Sequence, residues 1–159
     1  MSAKTSLSEL DLICKQAQEA KIDLRRSSKA KKNDALKYAA EFLLKNKAKL
    51  IDANTIDMEL ASQKDLQDSF VDRLELNEKR IDSMISGLDK VINLDDPVGQ
   101  TDQPHTSPSG FEVSKMRVPL GVIGIIYESR PNVTADASAL CLKSGNACIL
   151  RGGSKAANS

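Results

Sequence analysis

Apolar residues follow two different patterns along this chain. Between residues 6 and 92 they recur at helical spacing, and between 119 and 155 they gather into short unbroken runs. In the first region, Ser6 and Glu9 form a capping-box pair ahead of a stripe of Leu7, Leu10, Ile13, Cys14 and Ala17. Ser27-Ser28 breaks that run and offers an N-cap to a second helix, with Leu36, Ala39, Leu43 and Leu44 facing inward. A third helical stretch over roughly 48–63 is less regular, with Leu50, Ile51 and Met58 as its core. Asn77 precedes the cleanest pattern, Ile81, Met84, Ile85, Leu88, Val91 and Ile92, which predicts an amphipathic helix.

The second region reads differently. Val122–Tyr127 and Ala147–Leu150 are rich in Ile and Val and lack polar alternation, so they predict strands buried on both faces. Between them Pro131 suits a first helical turn, Val133, Ala137, Leu140 and Cys141 form the expected buried stripe, and Gly145-Asn146 supplies a left-handed stop. A segment of that length permits a right-handed crossover, and so a parallel βαβ unit. The three prolines, glycines and short polar residues of 95–110 predict a connector, and the alternation of 111–118 predicts a half-exposed strand. The expected fold is therefore α/β. Residues 1–94 form a helical layer, 95–110 a connector, and 111–159 the first strands and crossover helix of an incomplete sheet domain.

Ligands of open α/β sheets bind beyond the carboxyl ends of the strands. Those ends carry Tyr-Glu-Ser-Arg-Pro-Asn (127–132) and Arg-Gly-Gly-Ser-Lys (151–155). An Asn132 amide at a helix N-terminus can either cap its own helix or donate to a developing oxyanion. Arg151, Gly152, Gly153, Ser154 and Lys155 combine two cations, a hydroxyl and two small residues at an expected helix start, a setting suited to phosphate. Neither the Walker A spacing nor the dinucleotide fingerprint is present.

Composition narrows the remaining classes. With 23 Lys+Arg against 22 Asp+Glu there is no global case for nucleic acid or an anionic membrane. Residues 110–159 are mildly basic, with Lys115, Arg117, Arg130, Lys143, Arg151 and Lys155 against Glu112, Glu128 and Asp136. The Arg25-Arg26, Lys29, Lys31-Lys32 cluster reads as a solvated helix face. The lone His105, flanked by Pro104 and Thr106, reads as a surface-loop residue. Cys14, Cys141 and Cys148 lack metal-ligand spacing, fall on expected core faces, and point to a reducing, cytoplasmic setting. The start of the chain, Met-Ser-Ala-Lys-Thr-Ser, has no apolar run, so no secretory leader is expected.

Residues 117–134, Arg-Val-Pro-Leu-Gly-Val-Ile-Gly-Ile-Ile-Tyr-Glu-Ser-Arg-Pro-Asn-Val-Thr, and 141–153, Cys-Leu-Lys-Ser-Gly-Asn-Ala-Cys-Ile-Leu-Arg-Gly-Gly, resemble the gamma-glutamyl phosphate reductase family. This family, also called glutamate-5-semialdehyde dehydrogenases, lies in the aldehyde dehydrogenase superfamily. Asp96-Pro97-Val98-Gly99 and Asp72-Arg73-Leu74 extend the resemblance over essentially the whole chain. It implies an aldehyde dehydrogenase-like, Rossmann-like cofactor domain and NADPH-dependent reduction of L-glutamate 5-phosphate to the 5-semialdehyde in proline biosynthesis. In that reaction a cysteine displaces phosphate to form a thioester, which hydride then reduces. By matching position, Asn132 holds the thioester oxyanion and Arg151 meets the adenosine ribose. Ser154 and Lys155 leave room and charge for a 2′-phosphate; Ser129 and Arg130, by their charge and position rather than by a matching motif, are candidates to face the substrate phosphate. None of the three cysteines matches the catalytic motif, so an inactive N-terminal portion is expected. Glutamate 5-kinase is the candidate partner and the full-length enzyme an expected homo-oligomer. The competing readings are another superfamily member that oxidises an aldehyde with NAD, and a helical interaction module built on residues 1–92.

Overall fold

The computed structural model describes residues 7–63, 67–128 and 130–159. Five helices come first: α1 (Leu7–Arg26), α2 (Lys29–Lys45), α3 (Lys47–Ser62), α4 (Asp68–Leu74) and α5 (Glu78–Asn93). A small hairpin of β1 (His105–Thr106) and β2 (Glu112–Val113) follows. Then come β3 (Val122–Ile126), α6 (Pro131–Lys143), β4 (Ala147–Arg151) and one 3-10 turn, Ser154–Ala156.

The helix starts follow local chemistry. The Ser28 hydroxyl accepts the Lys31 N–H at 3.2 Å, and the Asn77 side chain accepts the Arg80 N–H at 3.0 Å. The capping-box residue Ser6 lies outside the described residues. At the other end of α6, the Gly145 N–H donates to the Leu142 carbonyl and the Asn146 N–H to the Cys141 carbonyl, which is a Schellman closure. Gly145 has φ +73°, and a Cβ there would stand 2.9 Å from Pro119 Cγ, so both backbone and space require glycine.

The core forms where α5 meets its neighbours. Ile81, Met84 and Leu88 of α5 are buried, with Leu36 and Ala40 of α2 and Ala139 of α6. Helix α6 touches α2 and α5 as well as β4, and so joins the helical layer to the sheet. That sheet is a parallel pair running from Val122 opposite Ala147 to Ile126 opposite Arg151.

Several expected faces move. Ala40 rather than Ala39 faces inward on α2, and Leu44 is exposed, because the buried line is Lys32, Leu36, Ala40 at four-residue spacing. Lys32 thus leaves the solvated cluster and is fully buried. Among the described residues of α1, Ala17 is buried, whereas Leu10, Ile13 and Cys14 are exposed, since that helix lies mainly on the narrow two-stranded sheet. The inward face of α3 is polar, made by Asn54, Asp57 and Ala61, with Leu50, Ile51 and Met58 only partly covered. On α6, Leu140 is 54% exposed and Ala139 takes its place in the core. The strands are not buried on both faces: Ile126 is 87% exposed, because two strands cannot shield each other's outer positions. The connector also holds more order than expected, since His105 lies in β1, while the strand expected over 111–118 shrinks to Glu112–Val113.

Buried polar groups close the helical layer. Lys32 Nζ meets Asp96 Oδ2 at 2.5 Å and donates to the Lys143 carbonyl at 3.1 Å. Lys143 Nζ in turn donates to Asn33 Oδ1 at 2.7 Å and to the Ile92 carbonyl at 2.8 Å. Burial would raise the Asp96 carboxyl, but the Lys32 hydrogen bond, the Val98 N–H and the two lysine charges outweigh it and hold the carboxyl below its usual range. Lys143 is pushed down from the usual ammonium range, chiefly by burial and next by the Lys29 charge.

Candidate functional site

The two loops singled out by the sequence lie side by side at the carboxyl ends of β3 and β4. The register places Ile126 opposite Arg151, and the Tyr127 N–H extends the ladder by donating to the Arg151 carbonyl at 3.1 Å. Tyr127 then ties both loops together. Its hydroxyl lies 2.6 Å from Thr134 Oγ1 in the first turns of α6, and its ring covers Gly152. A Cβ on Gly152 would stand 3.3 Å from that hydroxyl and 3.5 Å from two ring carbons, so the ring packs where a side chain would be. Sequence reasoning gave Tyr127 no role; its position directly after the strand was the available signal.

Beyond Gly152 the turn is exposed and carries uncommitted donors. Among the described residues, neither the Gly152 nor the Gly153 N–H makes a backbone hydrogen bond. Arg151 and Lys155 have no ion-pair partner among the described residues, and Lys155 Nζ rests over the Phe70 ring of α4 at 4.3 Å from its centroid. The α-helix expected to start here is a single 3-10 turn. The N–H groups of Asn158 and Ser159 that follow it donate to the Asp57 carboxylate.

On the α6 side, Arg130 is the N-cap residue without a side-chain cap, Pro131 is the first helical residue, and Asn132 follows. Asn132 therefore does not cap its helix. Its amide donates to Asp136 Oδ2 at 3.2 Å. Arg130 and Asn132 line a cleft of about 510 Å³ between α5, the α4–α5 turn and the start of α6. Arg73, Arg80 and Lys90 supply further positive charge there, and Asp72, Glu75 and Asp136 oppose it. Arg80 is already committed, to Asp72 at 2.8 Å and to the Glu75 carbonyl at 2.7 Å. The residues 151–155 do not line this cleft, so the structure groups the site residues into two neighbouring sets. Ser129 lies outside the described residues.

The cysteines do not join either set. Cys141 is buried on α6, where burial first and Cys148 second push its thiol above the usual range, and Cys14 is exposed on α1. Among the described residues no three His, Cys, Asp or Glu side chains group as metal ligands.

The chain is similar to known proteins. Over 151 residues the chain is 51% identical to gamma-glutamyl phosphate reductase of Thermodesulfovibrio yellowstonii, an alignment covering 93% of this chain. The crystal structure of the Thermotoga maritima gamma-glutamyl phosphate reductase superposes with a TM-score of 0.86 at 47% identity, covering 91% of this chain and 35% of that one. In sequence and in fold the chain is similar to these gamma-glutamyl phosphate reductases. It spans about a third of their length, 36% in the case of the Thermodesulfovibrio protein. A solved Bacillus subtilis structure named as an aldehyde dehydrogenase aligns over 96% of this chain and 31% of its own, with a TM-score of 0.71 at 20% identity, which shows the shared fold. No family model matches the chain. The α/β architecture is thus part of an aldehyde dehydrogenase-like fold, and the loops at 127–132 and 151–155 occupy the carboxyl edge of its sheet.

Proposed function

We propose that this chain supplies the cofactor turn and the oxyanion side of an NADPH-dependent reductase acting on L-glutamate 5-phosphate, in proline biosynthesis. The observation that carries the reading is the carboxyl edge of the β3–β4 pair, where, among the described residues, two cations without an ion-pair partner and two N–H groups without a backbone acceptor meet, with no acid in the turn. Such a turn fits an anionic phosphate by charge and by N–H geometry. Arg151 lies against the adenosine ribose, and Gly152 and Gly153 let the cofactor approach the backbone. The small Ser154 leaves space for the 2′-phosphate beside the Lys155 ammonium. NADPH, when bound, supplies hydride.

The other residues act on the substrate. The Asn132 amide, free of capping duty, donates to the oxygen that gains charge as the acyl phosphate carbon becomes tetrahedral. Arg130, with Ser129, balances the substrate phosphate. Residues 1–94 serve as the helical layer of the cofactor domain, 95–110 as the connector, and 111–159 as its first strands and crossover helix. A homo-oligomeric, cytoplasmic enzyme served by glutamate 5-kinase completes the proposal. Among the described residues no helix is long and apolar enough to cross a membrane.

Calorimetric titration of the chain with NADPH, with NADH as control, tests the reading. Preference for NADPH that disappears in Lys155→Ala supports it, and equal affinity for both cofactors overturns it. Reductase turnover is expected to be absent, because none of the three thiols lies at the site. Detectable turnover would sink that part of the proposal.

A further inference from the structure

Asp57 is 2% exposed on the inner face of α3, far in sequence from the loops at the sheet edge. Its carboxylate has no cation partner among the described residues. A buried carboxylate is costly unless hydrogen bonds replace its water, and here they do. The backbone N–H of Asn158 lies 3.2 and 3.3 Å from its two oxygens, and the Asn158 amide donates at 2.7 Å. The Ser159 N–H and hydroxyl donate at 3.0 and 2.8 Å. Asn54, one turn back on α3, adds a 3.3 Å contact to the same hydroxyl while holding the Leu74 carbonyl and the Leu76 N–H.

Two consecutive backbone N–H groups on one carboxylate fix the direction of the chain, not merely its proximity. The turn 152–157 is thereby suspended between two anchors. The β4 ladder and the Tyr127 ring hold its start, and Asp57 holds its end. Lys155 lies between these anchors, with its ammonium over Phe70. A turn fixed before the ligand arrives loses less conformational freedom on binding.

We infer that Asp57 is a positioning residue that holds Ser154 and Lys155 where they read the cofactor 2′-phosphate, an inference that rests on the NADPH reading above. The test compares the unmodified chain with Asp57→Asn, which keeps the side-chain volume but faces the donors with an amide. NADPH affinity is expected to fall about tenfold while NADH affinity changes by less than about threefold, as loss of a charge-assisted contact to one phosphate predicts. Amide exchange at 157–159 should quicken while exchange in α5 and α6 stays the same. A merely structural role would weaken both cofactors alike and would leave their ratio unchanged, which overturns the inference. If Asp57→Asn fails to fold, Asn158→Ala decides. It removes one of the five donor contacts without touching the buried acid, and an unchanged cofactor ratio there likewise overturns the inference. If the unmodified chain shows no preference for NADPH while the amides of 157–159 remain protected, the cofactor reading itself has failed and the role of Asp57 falls with it.

Discussion

The helical layer and the sheet edge are built on opposite principles. Around Lys32, Asp96 and Lys143 every buried side-chain polar atom of the described residues has a partner, and Leu36, Ala40, Leu88 and Ala139 close the apolar side. At the carboxyl ends of β3 and β4 the reverse holds: Ile126 is exposed, and the cations and N–H groups of the turn face solvent. One region spends its polar groups on itself, and the other keeps them available. A ligand site needs the second kind of surface, and the first kind is what holds that surface in place.

Substitutions should separate the two regions by size of effect. The largest is expected for Asp96→Ala, which strands the buried Lys32 ammonium and should lower stability by about 3–5 kcal/mol in denaturant unfolding. A loss below about 1 kcal/mol would show that water replaces the carboxylate and that the layer is less closed than it looks. The same pair predicts the pH response. The Asp96 carboxyl is held below the usual carboxylate range, so its stabilisation is present above that range and is lost as pH falls through the lower folded value. Unfolding midpoints followed downward from pH 6 should show the loss in the unmodified chain and not in Asp96→Ala. Lys143 works in the opposite sense. Its folded value is depressed, so its cost is present at neutral pH and is relieved as pH rises through the alkaline range.

Next in size is Gly145→Ala, which must adopt φ +73° and press on Pro119, at about 1–3 kcal/mol by thermal unfolding. Asn77→Ala removes the cap of the central helix and should cost about 1 kcal/mol. The smallest effect is expected at the sheet edge, where Ile126→Thr should change stability by less than about 0.5 kcal/mol. A large loss there would mean that the edge is packed against something and that the contrast between the regions is false. Truncation within 95–110 sharpens the comparison further. It removes Ala139 from the core and leaves Lys32 and Asn33 without the contacts α6 supplies, so residues 1–94 should not show a cooperative unfolding transition.

Much of the fold was legible. The α5 stripe, its Asn77 cap and the Gly145 stop come from rules that act within one or two helical turns, and the structure reproduces them. The βαβ unit was legible for a similar reason, since two apolar runs around one helix admit few topologies. The site was legible as two loops but not as an arrangement. Lys32 reads as part of a solvated cluster and Asp57 carries no local signal, because nothing nearby in sequence marks them for burial. Their partners, Asp96 and the pair Asn158 and Ser159, are brought by the fold from 64 and about 100 residues away.

Local sequence determined where α2 and α5 start and where α6 stops, which two segments pair as the parallel strands, and which loops reach their carboxyl edge. Tertiary structure alone decided which faces of α1, α2, α3 and α6 are inner, which charges are buried, and that Asn132 leaves its own helix uncapped. The division follows from the range of the forces. Capping, turn geometry and periodicity are settled between near neighbours, whereas burial depends on what the rest of the chain places opposite a residue.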